Sequence, residues 1–150
     1  MIPFTIYKAK VTGDAKNCFY QDKVTVTDEI TFKNAISHDH VMAEYKKNYR
    51  SNDNFIQSDC LPFDCDNEHS ENSADWVTPF ELAMEFPDVA FAVAYSKSHN
   101  KAKGNKSARP RFHVYFPIAM TSSKDEYVAL KKEVSTLFPY FDDNAMVNRL

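Results

Sequence analysis

A chain of 150 residues, 43% hydrophobic and 14% aromatic, is long enough to bury a real core and is expected to form a single domain. Its net charge of −3 excludes neither nucleic acid nor small anions as partners, because clustering of charge matters more than its sum. The only two glycines, Gly13 and Gly104, exclude a Walker A loop and a GxGxxG fingerprint, so any nucleotide phosphate must be held by side chains and metal.

In chain order, PFTIYKAKVT predicts a first strand and KVTVT a second. The start MIPFTIYKAK lacks the basic start and sustained apolar run of a signal peptide. Thr27 is the expected cap of a helix over DEITFKNAIS, and HVMAEYK is the expected third strand. NYRSNDNFI is polar and irregular and reads as a loop, followed by a strand over QSDCLPFD. In TPFE, Thr78 is an N-cap, Pro79 the first helical residue and Glu81 the reciprocal capping-box partner, with the helix ending before Pro87. VAFAVAYS is almost wholly apolar and predicts a strand buried on both faces. After the polar stretch KSHNKAKGNKSAR comes a strand over PRFHVYFPI, then a helix over SKDEYVALKKEVSTLF with Ser123 and Glu126 at capping-box spacing. The expected fold is α+β, a mixed β-sheet packed with helices. No apolar run approaches the ~20 residues that span a membrane, so no membrane association is expected. Three cysteines, Cys18, Cys60 and Cys65, form an odd, sparse set that suits a cytoplasmic location better than a disulfide framework.

Charge is segregated. Residues 59–75 carry six carboxylates and no lysine or arginine, and residues 97–111 carry six basic residues and no carboxylate. Two solvated loops account for such blocks in the bland case. If both blocks sit at the ends of neighbouring strands, they face one site, with carboxylates for a cation and basic groups for phosphates. Strand parity favours the second case. Asp64 and Asp66 share one face of their strand while Phe63 and Cys65 point the other way. Two carboxylates at that spacing repel unless cations lie between them, and a pair of Mg²⁺ or Mn²⁺ ions ~3.5–4 Å apart serves in-line phosphoryl transfer. In PRFHVYFPI, Phe112, Val114, Phe116 and Ile118 make an apolar face. Arg109, Arg111, His113 and Tyr115 make the other face, provided the strand reaches back to Arg109.

Rival chemistries fit less well. DCDNEH begins like a calcium loop, but His69 stands where glycine is required. Cys60, Cys65 and His69 lack the paired CxxC spacing of a zinc site. His38 and His40 in SHDHV approach the two-histidine motif of rolling-circle nucleases, with a charged residue where that motif wants an apolar one. A helix end and strand start account for them better.

Three phrases, YRSNDNFIQSDCLPFDCDNEHS, ARPRFHVYFPI and LFPYFDDNA, resemble the three ordered motifs of the archaeo-eukaryotic primase superfamily, and in particular the primase-polymerases of phages, plasmids and other mobile elements. The resemblance covers roughly residues 38–146 and implies a primase-polymerase core with an RRM-like palm. It implies Asp64 and Asp66 as first-motif metal ligands and Asp142, with Asp143 as a lesser candidate, as the third-motif carboxylate. It implies His113, with Arg111 and Arg109, as contacts to the incoming nucleotide's phosphates, and Arg50 near the template or nucleotide. The implied activity is template-dependent nucleotidyl transfer with Mg²⁺ or Mn²⁺, using nucleoside triphosphates on a single-stranded DNA template, often beside a fused or associated helicase. Val147 departs from the expected aspartate, and NAMVNRL ends where the family continues, so the expectation is a catalytic core shortened at its C-terminus. Pro62 also departs from the pattern and implies an edge or bulge before the DxD.

Overall fold

Alternating apolar residues in FTIYK and DKVTV form β1 (Phe4–Lys8) and β2 (Asp22–Val26), paired antiparallel, in a computed structural model that describes residues 1–142. β3 (His40–Val41) closes the other side of β1 and completes a three-stranded sheet in the order β2-β1-β3. The expected strand HVMAEYK is therefore two. Buried Met42 marks the point where the chain leaves β3 and enters β4 (Ala43–Tyr45), which belongs to a different sheet.

That second sheet has the order β4-β5-β7-β6, with β5 (Phe55–Cys65), β6 (Ala92–Tyr95) and β7 (Phe112–Thr121). Every strand pair among the described residues is antiparallel, which corrects the expected mixed sheet. The alternation of strand and helix misled for a physical reason. β5 and β6 are joined through α2 (Pro79–Glu85) and do run parallel, but β7 lies between them and hydrogen-bonds to both in the opposite sense. β6 is consequently an edge strand, not one buried on both faces, and its Tyr95 is 62% exposed. Pro62 sits in a paired strand rather than at a bulge. β4 reaches β5 only as far as Ser58, so no neighbour needs the N–H that proline lacks, and the register shift falls instead between Ser58 and Cys60.

The caps follow local chemistry. Thr78 and Glu81 form the expected capping box of α2, with Pro79 in the first turn. Helix α1 (Glu29–Ala35) is capped by Asp28, not Thr27: its carboxylate accepts from the Thr31 amide at 2.8 Å, and the Thr31 hydroxyl accepts from the Asp28 amide at 3.1 Å. Helix α3 (Lys124–Leu137) is capped by Ser123, whose hydroxyl accepts from the Glu126 amide, while the Glu126 carboxylate turns to the Thr121 hydroxyl.

The β5–β7 pair is the centre of the molecule. One face, with Phe63, Val114 and Phe116, packs against Leu82 of α2 and Tyr127 of α3. The opposite face, with Cys60 and Tyr115, packs against Phe4, Ile6 and Phe32 of the first layer. The Thr5 amide and hydroxyl both donate to the Asp59 carboxylate at 2.8 Å and tie the two sheets together. No helix among the described residues is long and apolar enough to cross a membrane.

Candidate functional site

Strand parity builds the site as expected at its centre. Leu61, Phe63 and Cys65 enter the helix-side core, which turns Asp64 to the opposite face. Phe112 and Val114 do the same for His113, and the register sets Asp64 directly opposite His113 and His113 opposite Ala94. The Asp64 carboxylate and His113 Nδ1 form a hydrogen-bonded ion pair, with side chains 23% and 36% exposed. Burial alone would depress the His113 imidazole. The bond to Asp64 and the charges of Asp64, Asp66 and Asp142 outweigh it and raise its pKa above the ordinary value.

Asp142 arrives from the far end of the chain because Phe141 anchors it. The Phe141 ring stacks on Phe63 with centroids 4.4 Å apart, deep in the helix-side core. The next residue then continues along the end of β5. The Asp142 amide donates to the Asp64 carbonyl at 2.9 Å, and Asp142 Oδ2 accepts from the Asp66 amide at 2.8 Å. Partial burial, followed by the charges of Asp66, Asp64 and Glu68, pushes the Asp142 carboxyl up to about 6. Asp143 and Val147 lie outside the described residues.

The raised Asp142 has a consequence for stability. Its folded pKa of about 6 exceeds the unfolded 3.8, so between those values the native state binds more protons than the unfolded chain. Without divalent cations, stability should therefore fall by roughly 1 kcal/mol, discounted for solvent exposure, as pH rises from about 4 to about 6. The His113 contribution is likewise present at low pH and lost on raising it, but above its ordinary 6.5. Urea unfolding across pH checks this, and Asp142→Asn should remove the fall in the lower window.

The acidic and basic blocks do meet, but the contact is largely structural. Lys103 Nζ lies 3.3 Å from Asp66, and Lys106 Nζ lies 2.7 Å from Glu71. β7 begins at Phe112, so the expected row of Arg109, Arg111 and His113 does not form. Pro110 has no amide for a ladder, and the Arg111 amide donates to the His99 ring instead. Arg109 is fully buried. Its guanidinium reaches Asn67 O at 2.9 Å, Glu71 at 2.7 Å and the Ser107 hydroxyl at 3.0 Å, with Trp76 stacked 5.0 Å away. Arg111 is also fully buried, with Nη1 donating to the Ser98 and Lys101 carbonyls, while Nε and Nη2 have no partner among the described residues. Neither arginine lines the cleft described next.

That cleft holds about 730 Å³ and opens where the first sheet leaves the Asp64–His113 end of the second uncovered. Asp64, His113, Tyr115, His40, Arg50 and Lys97 line it, together with the 12–17 loop. Asp39 braces the loop by accepting from the amides of Gly13 and Asp14 at 2.7 and 2.9 Å. Gly13 sits there at φ 77, in the left-handed region that glycine tolerates. His40 contacts the His38 carbonyl through Nδ1 at 2.8 Å and the Tyr115 hydroxyl through Nε2 at 3.0 Å. Burial lowers its pKa, which fits a neutral ring donating from Nδ1 and accepting at Nε2. Arg50 and Lys97 form no ion pair among the described residues, though Arg50 lies over the Tyr20 ring at 5.5 Å, and they share the cleft lining with the carboxylates Asp14, Asp39 and Asp64.

Comparison with protein-family models, curated proteins and solved structures finds no match to this chain.

The donor set Asp64, Asp66 and Asp142 consists of hard carboxylates of the kind Mg²⁺ and Mn²⁺ take. Among the described residues, no three His, Cys, Asp or Glu side chains are already gathered as ligands. Asp64 is held by His113 and Asp142 by the Asp66 amide, so a cation must compete with both. The zinc alternative fails on parity, since Cys60 and Cys65 enter cores on opposite faces of β5. Sequence reasoning set His38 and His40 aside, although both line the cleft, and it passed over Lys131. This lysine is buried below Phe63, its Nζ 5.3 Å from the ring, and burial lowers its pKa to about 8 against the opposing pull of Asp64.

Proposed function

We propose that the domain is the catalytic core of a primase-polymerase, joining nucleotides from a nucleoside triphosphate onto a 3′-hydroxyl along a single-stranded DNA template. One observation carries this most. Asp64, Asp66 and Asp142, the carboxylates that the resemblance implies, meet at the end of β5, where the Asp142 amide donates to the Asp64 carbonyl and the Asp142 carboxylate accepts from the Asp66 amide. Asp64 with His113 lines the cleft that bears Arg50 and Lys97, while Asp66 and Asp142 lie outside its lining. Asp64, Asp66 and Asp142 would hold Mg²⁺ or Mn²⁺, which when bound supplies charge neutralisation at the phosphates. His113 lines the same cleft and is placed to donate to phosphate oxygens once Asp64 engages a cation. Arg50 and Lys97 add positive charge where the triphosphate tail would lie. The Asp142 proton must leave before that carboxylate can act as a ligand, so cation binding should tighten as pH rises through about 6. A helicase as associated partner belongs to the same proposal.

Primer extension on a single-stranded template with Mg²⁺ or Mn²⁺ tests this directly. The expected result is a ladder of extended products that requires both cation and triphosphate and is absent in Asp66→Asn. Loss of labelled DNA without any need for triphosphate would replace the proposal with a nuclease. A second reading, a non-catalytic nucleotide-binding module, is favoured by the carboxylates' present engagement with His113 and the Asp66 amide. It predicts triphosphate binding with no extension.

A further inference from the structure

Beside the cleft, two chain segments present a surface that nucleotide transfer at Asp64 does not use. Phe19 and Tyr49 form an isolated antiparallel bridge, and their rings meet edge to face with centroids 5.1 Å apart. Such a pair normally belongs in a core, yet Phe19 is 50% and Tyr49 41% exposed. The backbone holding them is well tied. The Tyr20 amide donates to Asn48 O at 3.0 Å, the Arg50 amide to Cys18 O at 2.8 Å and the Tyr49 amide to Lys46 O at 3.2 Å. Lys47 and Asn48 turn the chain with φ of 56 and 58, which sets the Tyr49 ring beside Phe19.

The two segments that carry the pair are basic, although Asp14, whose carboxylate accepts from the Lys16 amide at 3.0 Å, and Glu44 flank them. Residues 15–20 and 45–50 include Lys16, Lys46, Lys47 and Arg50 and no carboxylate. None of these four cations forms an ion pair among the described residues. The patch is continuous with the cleft, since Asn17, Tyr20 and Arg50 of the same two segments line it. Exposed rings that are rigidly held and flanked by lysines outside any ion pair among the described residues match the faces of unpaired bases and the phosphates that join them. An apolar protein surface would strand those cations without partners, and a duplex would hide its base faces from the rings.

We infer that the Phe19–Tyr49 pair is a stacking platform for single-stranded nucleic acid, with Lys16, Lys46 and Lys47 following its phosphates. The platform rests on the proposed function only for its direction: a strand held there is led to the cleft containing Asp64 and His113.

Fluorescence anisotropy with a labelled single-stranded oligonucleotide, without triphosphate or divalent cation, tests the platform separately from the cleft. The double variant Phe19→Ala/Tyr49→Ala should bind at least about tenfold more weakly, while Phe19→Tyr/Tyr49→Phe retains affinity. Removing bases from the oligonucleotide should weaken binding to the wild-type chain and leave the double variant unchanged. Lys46→Ala/Lys47→Ala should lessen the salt dependence by roughly 0.7 in log–log slope for each phosphate no longer neutralised. Circular dichroism confirms that the variants fold. Tighter binding of the matching duplex, equal binding by the folded double variant, or no binding by the wild-type chain would each overturn the platform. A triphosphate titration of the same proteins keeps the two questions apart, because retained triphosphate binding in the double variant leaves the cleft assignment standing.

Discussion

Replacing Asp64 with asparagine is expected to weaken divalent-dependent triphosphate binding more than about a hundredfold while leaving the fold intact. Even the outer partners of metal ligands are worth roughly 10–100-fold in affinity, and a ligand itself is worth more. The substitution preserves shape at a residue 23% exposed, and the β5–β7 register beneath it depends on backbone bonds and on Phe63 and Val114 rather than on the carboxylate. Asparagine keeps an acceptor near His113 Nδ1 but removes the charge. The imidazole then loses the carboxylate bond and charge that most oppose its burial, and its pKa should drop, with Asp66 and Asp142 still raising it. NMR titration of the His113 ring reads that drop, and calorimetric titration with Mn²⁺ and a triphosphate reads the loss of binding. Loss of the pKa shift with unchanged triphosphate affinity would separate the ion pair from any role in holding a cation.

Arg109→Ala should cost about 3–5 kcal/mol of folding stability, the largest effect expected of any charged residue outside the carboxylate unit. The reason is burial with saturation. The side chain is inaccessible, and its donors reach two carbonyls of the acidic loop, Asn67 and Ser70, together with Glu71 and Ser107. Truncation leaves those carbonyls without donors, opens a cavity beside Trp76 and frees the loop that follows Asp66. Arg109→Lys should recover little, because one ammonium cannot reproduce a planar fork that spans two carbonyls and a carboxylate. Urea unfolding measures the loss. A midpoint within error of the wild type would mean that the guanidinium is solvated and available, as a phosphate contact requires.

These two residues show what was legible beforehand and what was not. Parity turned Asp64 and His113 each away from the apolar face of its own strand, because both lie inside long regular strands whose neighbours Phe63, Val114 and Phe116 are unambiguously apolar, and the β5–β7 register then sets them opposite one another. The same argument failed two residues further back. It assumed that β7 extended to Arg109, whereas Pro110 interrupts the ladder and buries both arginines beneath the loop they hold. The α2 capping box was legible because its partners lie three residues apart, and the Asp28 cap was missed by one position in a run of candidate acceptors. The antiparallel order of the second sheet was not legible, since nothing local says that β7 inserts between β5 and β6. The cleft was hidden for a similar reason. Its walls come from the 12–17 loop, His38, His40 and Arg50, which meet Asp64 and His113 only once the two sheets pack together. Asp142 was placed by resemblance, and the physical cause lies one residue earlier, where Phe141 stacks on Phe63.

The proposed function requires the carboxylate unit and the cleft together to bind a nucleoside triphosphate through a divalent cation. Calorimetric titration of the chain with a triphosphate, with and without Mn²⁺, tests it most directly. Saturable binding that requires Mn²⁺, tightens as pH rises through about 6, and is lost in Asp64→Asn is the expected result. Binding of equal strength with and without Mn²⁺, or undiminished in Asp64→Asn, would contradict it and leave the acidic end of β5 as a structural partner of the basic loop.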